Sequence, residues 1–245
     1  MGYRLDQFAD GTGQHEPLRS EEVMSDPDQL GQIVHDLRSP LSSISLEVEM
    51  LGAMLDTCVR VDAGQALGRI RRNVRYLDRL IYDLADICTL TNGRFRLRRA
   101  PCDLCGLLES VIERVVPAGE RLRVQLDARE AVVAMLDELR IERVVANLLD
   151  NALKYTPLTS AIVIRLTRRI GEASISISDD GPGLTQAEVA SLFRPYQRAS
   201  TSRGRSGTGL GLYVSKAIVE AHGGNMGVES NSGRGSRFFF DLPLL

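Results

Sequence analysis

Two runs of large apolar residues, recurring every three to four positions, constrain this chain more than any other feature. The first passes through Leu30, Ile33, Val34, Leu37, Leu41, Ile44, Val48, Leu51 and Leu55. The second passes through Leu67, Ile70, Val74, Leu77, Leu80, Ile81, Leu84 and Ile87. This spacing follows the turn of an α-helix and gathers the apolar side chains into one stripe. A Gly- and Asp-containing connection around residues 57–64 makes the pair a helical hairpin. One hairpin covers its own stripe poorly, and pairing two of them into a four-helix bundle is the usual solution. A homodimer is therefore expected, with Pro40 kinking the first helix just past His35.

On either side of the hairpin the texture changes. Residues 1–24 mix Gly, Asp, Glu, Gln and Ser with few large apolar groups, which predicts a flexible tail with no room for a sensor domain. Asn92-Gly93 ends the second helix, and residues 94–245 read as an α/β domain. Helices are predicted at Leu104 to Val115, Asp137 to Tyr155, Gln186 to Leu192 and Leu210 to His222. Strands are predicted at Leu122 to Asp127, Val132 to Leu136, Ile162 to Thr167, Ala173 to Ser178, Asn225 to Ser230 and Ser236 to Leu242. The organisation is thus a tail over 1–24, a helical hairpin over 25–93 and an α/β domain over 94–245.

A formal net charge of -2 gives no global drive toward nucleic acid, and no nucleic-acid partner is expected. Arg94, Arg96, Arg98 and Arg99 read as a solvated strand edge. No apolar stretch approaches the roughly 18 residues that span a bilayer, and the N-terminus lacks a signal-peptide pattern. A cytoplasmic protein with no membrane span is expected. Asp6 stands where myristoylation after Gly2 would want Ser or Thr. Cys58, Cys88, Cys102 and Cys105 read as reduced thiols, because the Cys102–Cys105 spacing has no second pair or histidine partner for zinc.

Chemistry is suggested by four segments. His35-Asp36-Leu37-Arg38-Ser39-Pro40 sets an imidazole beside a carboxylate on the polar side of the first helix. By itself this is more often a solvated pair than a nucleophile. In Asn147-Leu148-Leu149-Asp150-Asn151-Ala152-Leu153-Lys154-Tyr155, the residues Asn147, Asn151, Lys154 and Tyr155 recur at helical intervals. Amide oxygens there suit magnesium and the lysine suits phosphate. Asp179-Asp180-Gly181-Pro182-Gly183-Leu184 follows a strand, offering a carboxylate to an exocyclic amine and glycines for close backbone approach. Gly207-Thr208-Gly209-Leu210-Gly211-Leu212 opens a helix whose N–H groups can meet phosphate. Before it, Arg194 to Ser206 reads as a lid over a polyphosphate. No GxxxxGK[ST] occurs, since Lys154 and Lys216 are the only lysines and neither follows such glycines. The glycine-rich turn also follows the lid instead of a first strand, which argues against a dinucleotide fold.

In this order, with Leu192-Phe193-Arg194-Pro195 and Gly233-Arg234-Gly235-Ser236-Arg237-Phe238 added, the motifs resemble the bacterial sensor histidine kinase core over residues 27–245. The resemblance implies a dimeric four-helix bundle followed by a two-layer α/β sandwich, the GHKL or Bergerat ATP-binding fold. It implies His35 as phosphoacceptor, Asp36 as its acid/base neighbour, and Asn151 as the Mg²⁺ ligand. It implies ATP contacts from Asn147, Asn151, Lys154, Tyr155, Asp179, Gly181 and Gly183, and from Gly207, Thr208, Gly209, Leu210 and Gly211. Phe193 would anchor the lid.

The implied activity is autophosphorylation of His35 from ATP and Mg²⁺, then transfer to an aspartate of a response regulator receiver domain. That partner would dock beside Ser42, Ser43 and Ser45, and a separate input or sensor protein would supply the signal. Ser39 departs from the Thr or Asn of many relatives at a position linked to phosphatase activity. The competing readings are a non-kinase GHKL-type ATPase, which needs no histidine on a dimerising hairpin, and a phosphotransfer scaffold with a degenerate nucleotide domain.

Overall fold

The computed structural model describes residues 27–56, 63–91, 95–197 and 209–244. The expectations for the tail, the 57–62 connection, Asn92-Gly93, most of the lid, Gly207 and Thr208 lie outside these residues. Two long helices come first, α1 (Pro27–Asp56) and α2 (Ala63–Thr91). They pack antiparallel: Asn73 Nδ2 donates to Ser43 Oγ at 3.0 Å, and Arg69 forks onto Glu47 with Nη2 to Oε2 at 3.0 Å. α1 runs on through Pro40, which is buried. Leu41, Val48, Leu67 and Ile81, all from the stripes read from the spacing, are each more than half exposed on this hairpin.

The second unit is a two-layer α/β sandwich. Its main sheet has five strands, β2 (Val124–Ala128), β4 (Ile162–Arg169), β5 (Glu172–Asp179), β7 (Ser236–Pro243) and β6 (Asn225–Ser230), in the order β2-β4-β5-β7-β6. β2 and β4 are parallel; the remaining neighbours are antiparallel. A small antiparallel pair, β1 (Ala100–Asp103) with β3 (Val133–Leu136), lies apart from it. α3 (Leu104–Val115), α4 (Glu138–Tyr155) and α6 (Gly211–Ala221) supply the helical layer, and α5 (Gln186–Ser191) is a short outlier. α4 buries Ile141, Val144, Val145, Leu148, Leu149 and Ala152 at three- and four-residue steps, which leaves its other face for polar groups. Opposite them lie Ile162, Ile164, Ile175, Ile177 and Phe240 of the sheet. Asp137 caps α4 with its side chain, and Thr156 ends it just before Pro157.

Three expectations are corrected. Leu122 is no strand residue: residues 118–123 form a 3₁₀ turn, and Leu122 is fully exposed. Arg123 holds that turn in place, binding Glu120 Oε2 at 2.6 Å and the Leu153 carbonyl at 3.2 Å. β1 was not anticipated, because its four residues hold a proline, Pro101, and no β-branched or aromatic residue. The arginine segment is no strand edge; Arg96, Arg98 and Arg99 lie in the irregular stretch before β1. There the Arg98 N–H donates to Asp137 Oδ2 at 2.9 Å, and Arg99 donates to the Ala221 carbonyl at 3.0 Å.

α2 and α4 meet through buried charge. Asp83 and Asp86 sit one turn apart on α2, and Arg140 and Arg143 sit one turn apart on α4. Arg140 pairs with Asp86, and Arg143 pairs with both aspartates. Arg79 adds a pair to Asp150 at 2.6 Å, and the Arg140 guanidinium lies 4.6 Å from the Phe95 ring. Burial pushes the Asp83 carboxyl up, and Arg143 opposes that shift. Removing one partner from such a cluster leaves desolvated carboxylates unpaired, which costs about 3 kcal/mol or more. Arg143→Leu is therefore expected to lower the urea midpoint. A change in stability below about 0.5 kcal/mol, the scale of ordinary surface substitutions, would contradict this account of the junction.

Candidate functional site

β5 ends at Asp179, whose Oδ1 accepts the Gly181 N–H at 2.8 Å. Burial raises the Asp179 carboxyl above the usual range, the Gly181 N–H and the nearby Thr156 hydroxyl pull it back, and Asp180 pushes it up. Thr156 Oγ1 is itself buried and makes no hydrogen bond of normal geometry among the described residues. A desolvated carboxylate with a buried hydroxyl beside it suits a ligand edge that carries both a donor and an acceptor. Gly181 keeps the space open: a Cβ there would come within 2.6 Å of Asp179 Oδ1 and 3.4 Å of the Tyr155 carbonyl.

The turn after Asp179 is clasped by the turn between β6 and β7. The Gly233 N–H donates to the Pro182 carbonyl at 2.7 Å. Ser230 Oγ accepts the Leu184 N–H and donates to the Gly235 carbonyl, both at 2.9 Å. Gly235, at φ 81°, lies directly behind the strand end, where a Cβ would meet the Asp179 carbonyl oxygen at 2.0 Å. Gly235→Ala is expected to cost about 2–3 kcal/mol through left-handed strain and overpacking. The associated fall in thermal midpoint is roughly 5–10 °C, measurable by calorimetry, and an unchanged midpoint would rule out this bracing role.

A second cluster forms where α4 meets the start of α6. Asn147 Nδ2 donates to Ser215 Oγ at 3.0 Å, and a Cβ on Gly211 would come within 2.5 Å of Asn147 Oδ1. Leu210 offers α6 no side-chain cap, so the first N–H groups of the helix are left for other acceptors. Gly209, at φ 72°, packs on the backbone of Tyr196, and the Lys216 ammonium lies 5.4 Å from the Phe193 ring. Further along α4, Asn151, Lys154 and Tyr155 are half-buried, with the Lys154 ammonium 5.0 Å from the Tyr155 ring. α4 thus joins the two clusters, Asn147 at one and Tyr155 at the other. Sequence reasoning named these positions but gave no site role to Thr156, Ser215, Ser230 or Gly235. Thr156, directly after the asparagine motif, and Gly235, inside the Gly233–Phe238 motif, carried a local signal.

His35 and Asp36 lie on α1, away from both clusters in sequence. The hairpin pairs residue 43 with 73 and 47 with 69, so the antiparallel helices carry residue 35 and Asp83 of the buried junction toward the same end. Between α2 and the α4–α6 cluster lies a cavity of about 100 Å³, bounded by Arg79, Asp83, Arg143, Asn147 and Gly211.

Residues 28–93 match the His Kinase A (phospho-acceptor) domain. Residues 136–245 match the histidine kinase-, DNA gyrase B- and HSP90-like ATPase family. A curated relative, the adaptive-response sensory kinase SasA of Synechococcus sp. (strain JA-2-3B'a(2-13)), is 35% identical over 223 residues. That match covers 88% of this chain and 58% of the relative, so the chain spans well under two thirds of that protein. Two solved structures share the fold. The Acinetobacter baumannii histidine kinase AdeS is 24% identical with a TM-score of 0.64, covering 86% of this chain and 98% of that one. Histidine kinase ThkA in complex with response regulator protein TrrA is 21% identical with a TM-score of 0.65, covering 93% of this chain and 64% of that one. Among the described residues no helix is long and apolar enough to cross a membrane. Residues 28–93 and 136–245 together give this chain the phospho-acceptor and ATP-binding core of a two-component sensor histidine kinase.

Proposed function

We propose that this chain transfers the γ-phosphoryl group of ATP to His35 and then passes it to an aspartate of a response regulator receiver domain. The observation that carries the reading is α4 itself. It lines both candidate clusters and is pinned through Arg140 and Arg143 to α2, the partner of the helix that carries His35. Residues 25–93 form the dimerising phospho-acceptor unit, residues 94–245 the ATP-binding unit, and residues 1–24 the tail. The exposed stripe of Leu41, Val48, Leu67 and Ile81 supports a homodimer. A separate input protein and a cytoplasmic location complete the reading. A receiver-domain partner is supported by the ThkA structure, which was solved with a response regulator.

The residues fit ATP. The buried pair of Asp179 and Thr156 matches the amine edge of adenine, and the bare glycine at 181 leaves room for a flat ring. Tyr155 and Lys154 flank that ring, with Gly183 holding the turn. Asn147, Leu210 and Gly211 face the phosphates from the α6 end, beside Gly209. Gly207 and Thr208 extend the same phosphate contact. The Asn151 amide oxygen is a hard oxygen donor of the kind that suits Mg²⁺, and Asn151 would hold the ion together with the ATP phosphates. When bound, Mg²⁺ would offset charge on the phosphate oxygens.

For the transfer itself, a neutral ring nitrogen of His35 attacks the γ-phosphorus in line, a nitrogen–phosphorus bond forms, and ADP leaves with the bridging oxygen. Asp36 accepts a hydrogen bond from the other ring N–H, which favours the nucleophilic tautomer and stabilises the imidazolium that develops. Purified protein given γ-labelled ATP and Mg²⁺ should acquire an acid-labile, alkali-stable label, and that label should move to a receiver domain. Binding of ATP with no labelling, even beside candidate regulators and input proteins, would sink the proposal.

A further inference from the structure

His222, at the end of α6, is 97% shielded from solvent and belongs to neither cluster. Its Nδ1 lies 2.8 Å from the Ile218 carbonyl one turn back, and its Nε2 accepts the backbone N–H of Asp137 at 3.0 Å. That pair of partners requires a proton on Nδ1 and a bare Nε2, the neutral ring. Asp137 is the cap of α4, and its carboxylate receives the backbone N–H groups of Arg140 and Arg98. Arg99, from the same connecting segment as Arg98, holds the Ala221 carbonyl beside the histidine. Three elements therefore meet at one buried point: the start of α4, the end of α6 and the connection leaving the hairpin.

α4 and α6 are tied again near their middles, where Asn147 donates to Ser215. Two helices held at two points have a fixed relative placement; held at one, they can pivot. The pivot would open or close the space between Asn147 and Gly211, where the phosphates are proposed to bind. We propose that His222 is a positioning residue that, as a neutral acceptor for the Asp137 N–H, sets the α4–α6 spacing of the nucleotide site and couples it to the connecting segment. The inference rests on the nucleotide-site reading above, but not on the kinase step.

The charged groups facing the ring are Arg99 from the connecting segment and Asp137 and Arg140 from α4. Burial acts most strongly, Arg99 and Arg140 act with it, and Asp137 and the Ile218 carbonyl act against it; the net effect lowers the His222 pKa. A protonated Nε2 would confront the Asp137 N–H donor with a second donor. The folded-state pKa lies below the unfolded value near 6.5, so the tie is complete above about pH 6.5 and is lost as pH falls through the folded-state value.

The test measures MgATP affinity directly by calorimetry from pH 5 to 8, on the full chain, for wild type, His222→Gln and His222→Leu. Gln can present an amide oxygen near the Nε2 position and does not titrate in this range. At pH 7.5, His222→Gln is expected to bind within threefold of wild type and His222→Leu to bind about five- to tenfold more weakly, as for loss of one buried acceptor. As pH falls through the folded-state value of His222, which lies below 6.5, wild type should weaken more steeply than His222→Gln. Equal acid loss in wild type and His222→Gln would overturn the proposal by assigning the titration elsewhere. So would a folded His222→Leu with wild-type affinity. Should His222→Leu fail to fold, the comparison of pH profiles with His222→Gln still decides. Absence of MgATP binding by wild type would instead undermine the nucleotide-site reading.

Discussion

His35→Gln is expected to abolish phosphorylation of the chain completely while leaving ATP binding and folding intact. The imidazole nitrogen attacks phosphorus with a lone pair that lies in the ring plane, outside the aromatic system. The glutamine amide nitrogen has its lone pair delocalised into the carbonyl, so it cannot form the nitrogen–phosphorus bond at any useful rate. The substitution is mild for the helix, because Gln has at least the helix propensity of His and α1 continues for 21 residues beyond this position. The readouts are labelling from γ-labelled ATP, circular dichroism and nucleotide affinity. Residual acid-labile label on His35→Gln would move the phosphoacceptor to His15 or His222, the other histidines of the chain. Loss of ATP binding would show that His35 serves the nucleotide site instead.

Asp179→Ala carries the second large effect, and it separates binding from chemistry. The carboxylate is desolvated at the end of β5, next to a hydroxyl with no normal hydrogen bond, so a ligand amine would meet a charged acceptor in low dielectric. Hydrogen bonds to charged groups contribute about 1.5–3 kcal/mol, which predicts a roughly 10- to 150-fold loss of ATP affinity. The same affinity should be lost for adenine nucleotides as a class, with little effect on binding of inorganic triphosphate. Because burial raises this carboxyl, its proton returns at a higher pH than for an ordinary aspartate, and adenine recognition should weaken earlier on acidification. Equal ATP affinity in Asp179→Ala and wild type would remove Asp179 from the nucleotide site. The neutral variant also relieves a desolvated charge, so an unchanged or higher thermal midpoint is compatible with the prediction.

Much of the architecture was legible before any coordinates. Helices recur at 3.6 residues and half-buried strands at two, so the stripes of α1, α2 and α4 and the long strands β4 to β7 announce themselves. Element ends were legible where a cap or a proline fixes them, as at Asp137 and Pro157. β1 was hidden because Ala100-Pro101-Cys102-Asp103 holds a proline and no β-branched or aromatic residue, and its partner lies far along the chain, at Val133–Leu136. Leu122 misled for a related reason: it continued an alternating pattern, while the Arg123 hydrogen bonds to the end of α4 held its backbone in a turn. The arginines before β1 looked solvated from composition, yet the backbone of Arg98 is used by an N-cap nearly forty positions on.

For the site, the sequence by itself determined which functional groups are available. Two amides and a lysine recur on one helix, a carboxylate ends a strand beside glycines, and a histidine sits on a dimerising hairpin. Spacing and residue chemistry are local properties, and they survive without a fold. Only the tertiary structure decided which groups meet. It set Thr156 beside Asp179, Gly235 behind Asp179, Ser215 under Asn147, the Asp83 and Asp86 pair against Arg143 and Arg140, and His222 on the cap of α4. These contacts join residues from about 20 to 85 positions apart, so no periodicity or propensity encodes them. They follow from how a helix settles on a sheet and on a neighbouring helix, where a single turn of slippage would give every polar group a different partner.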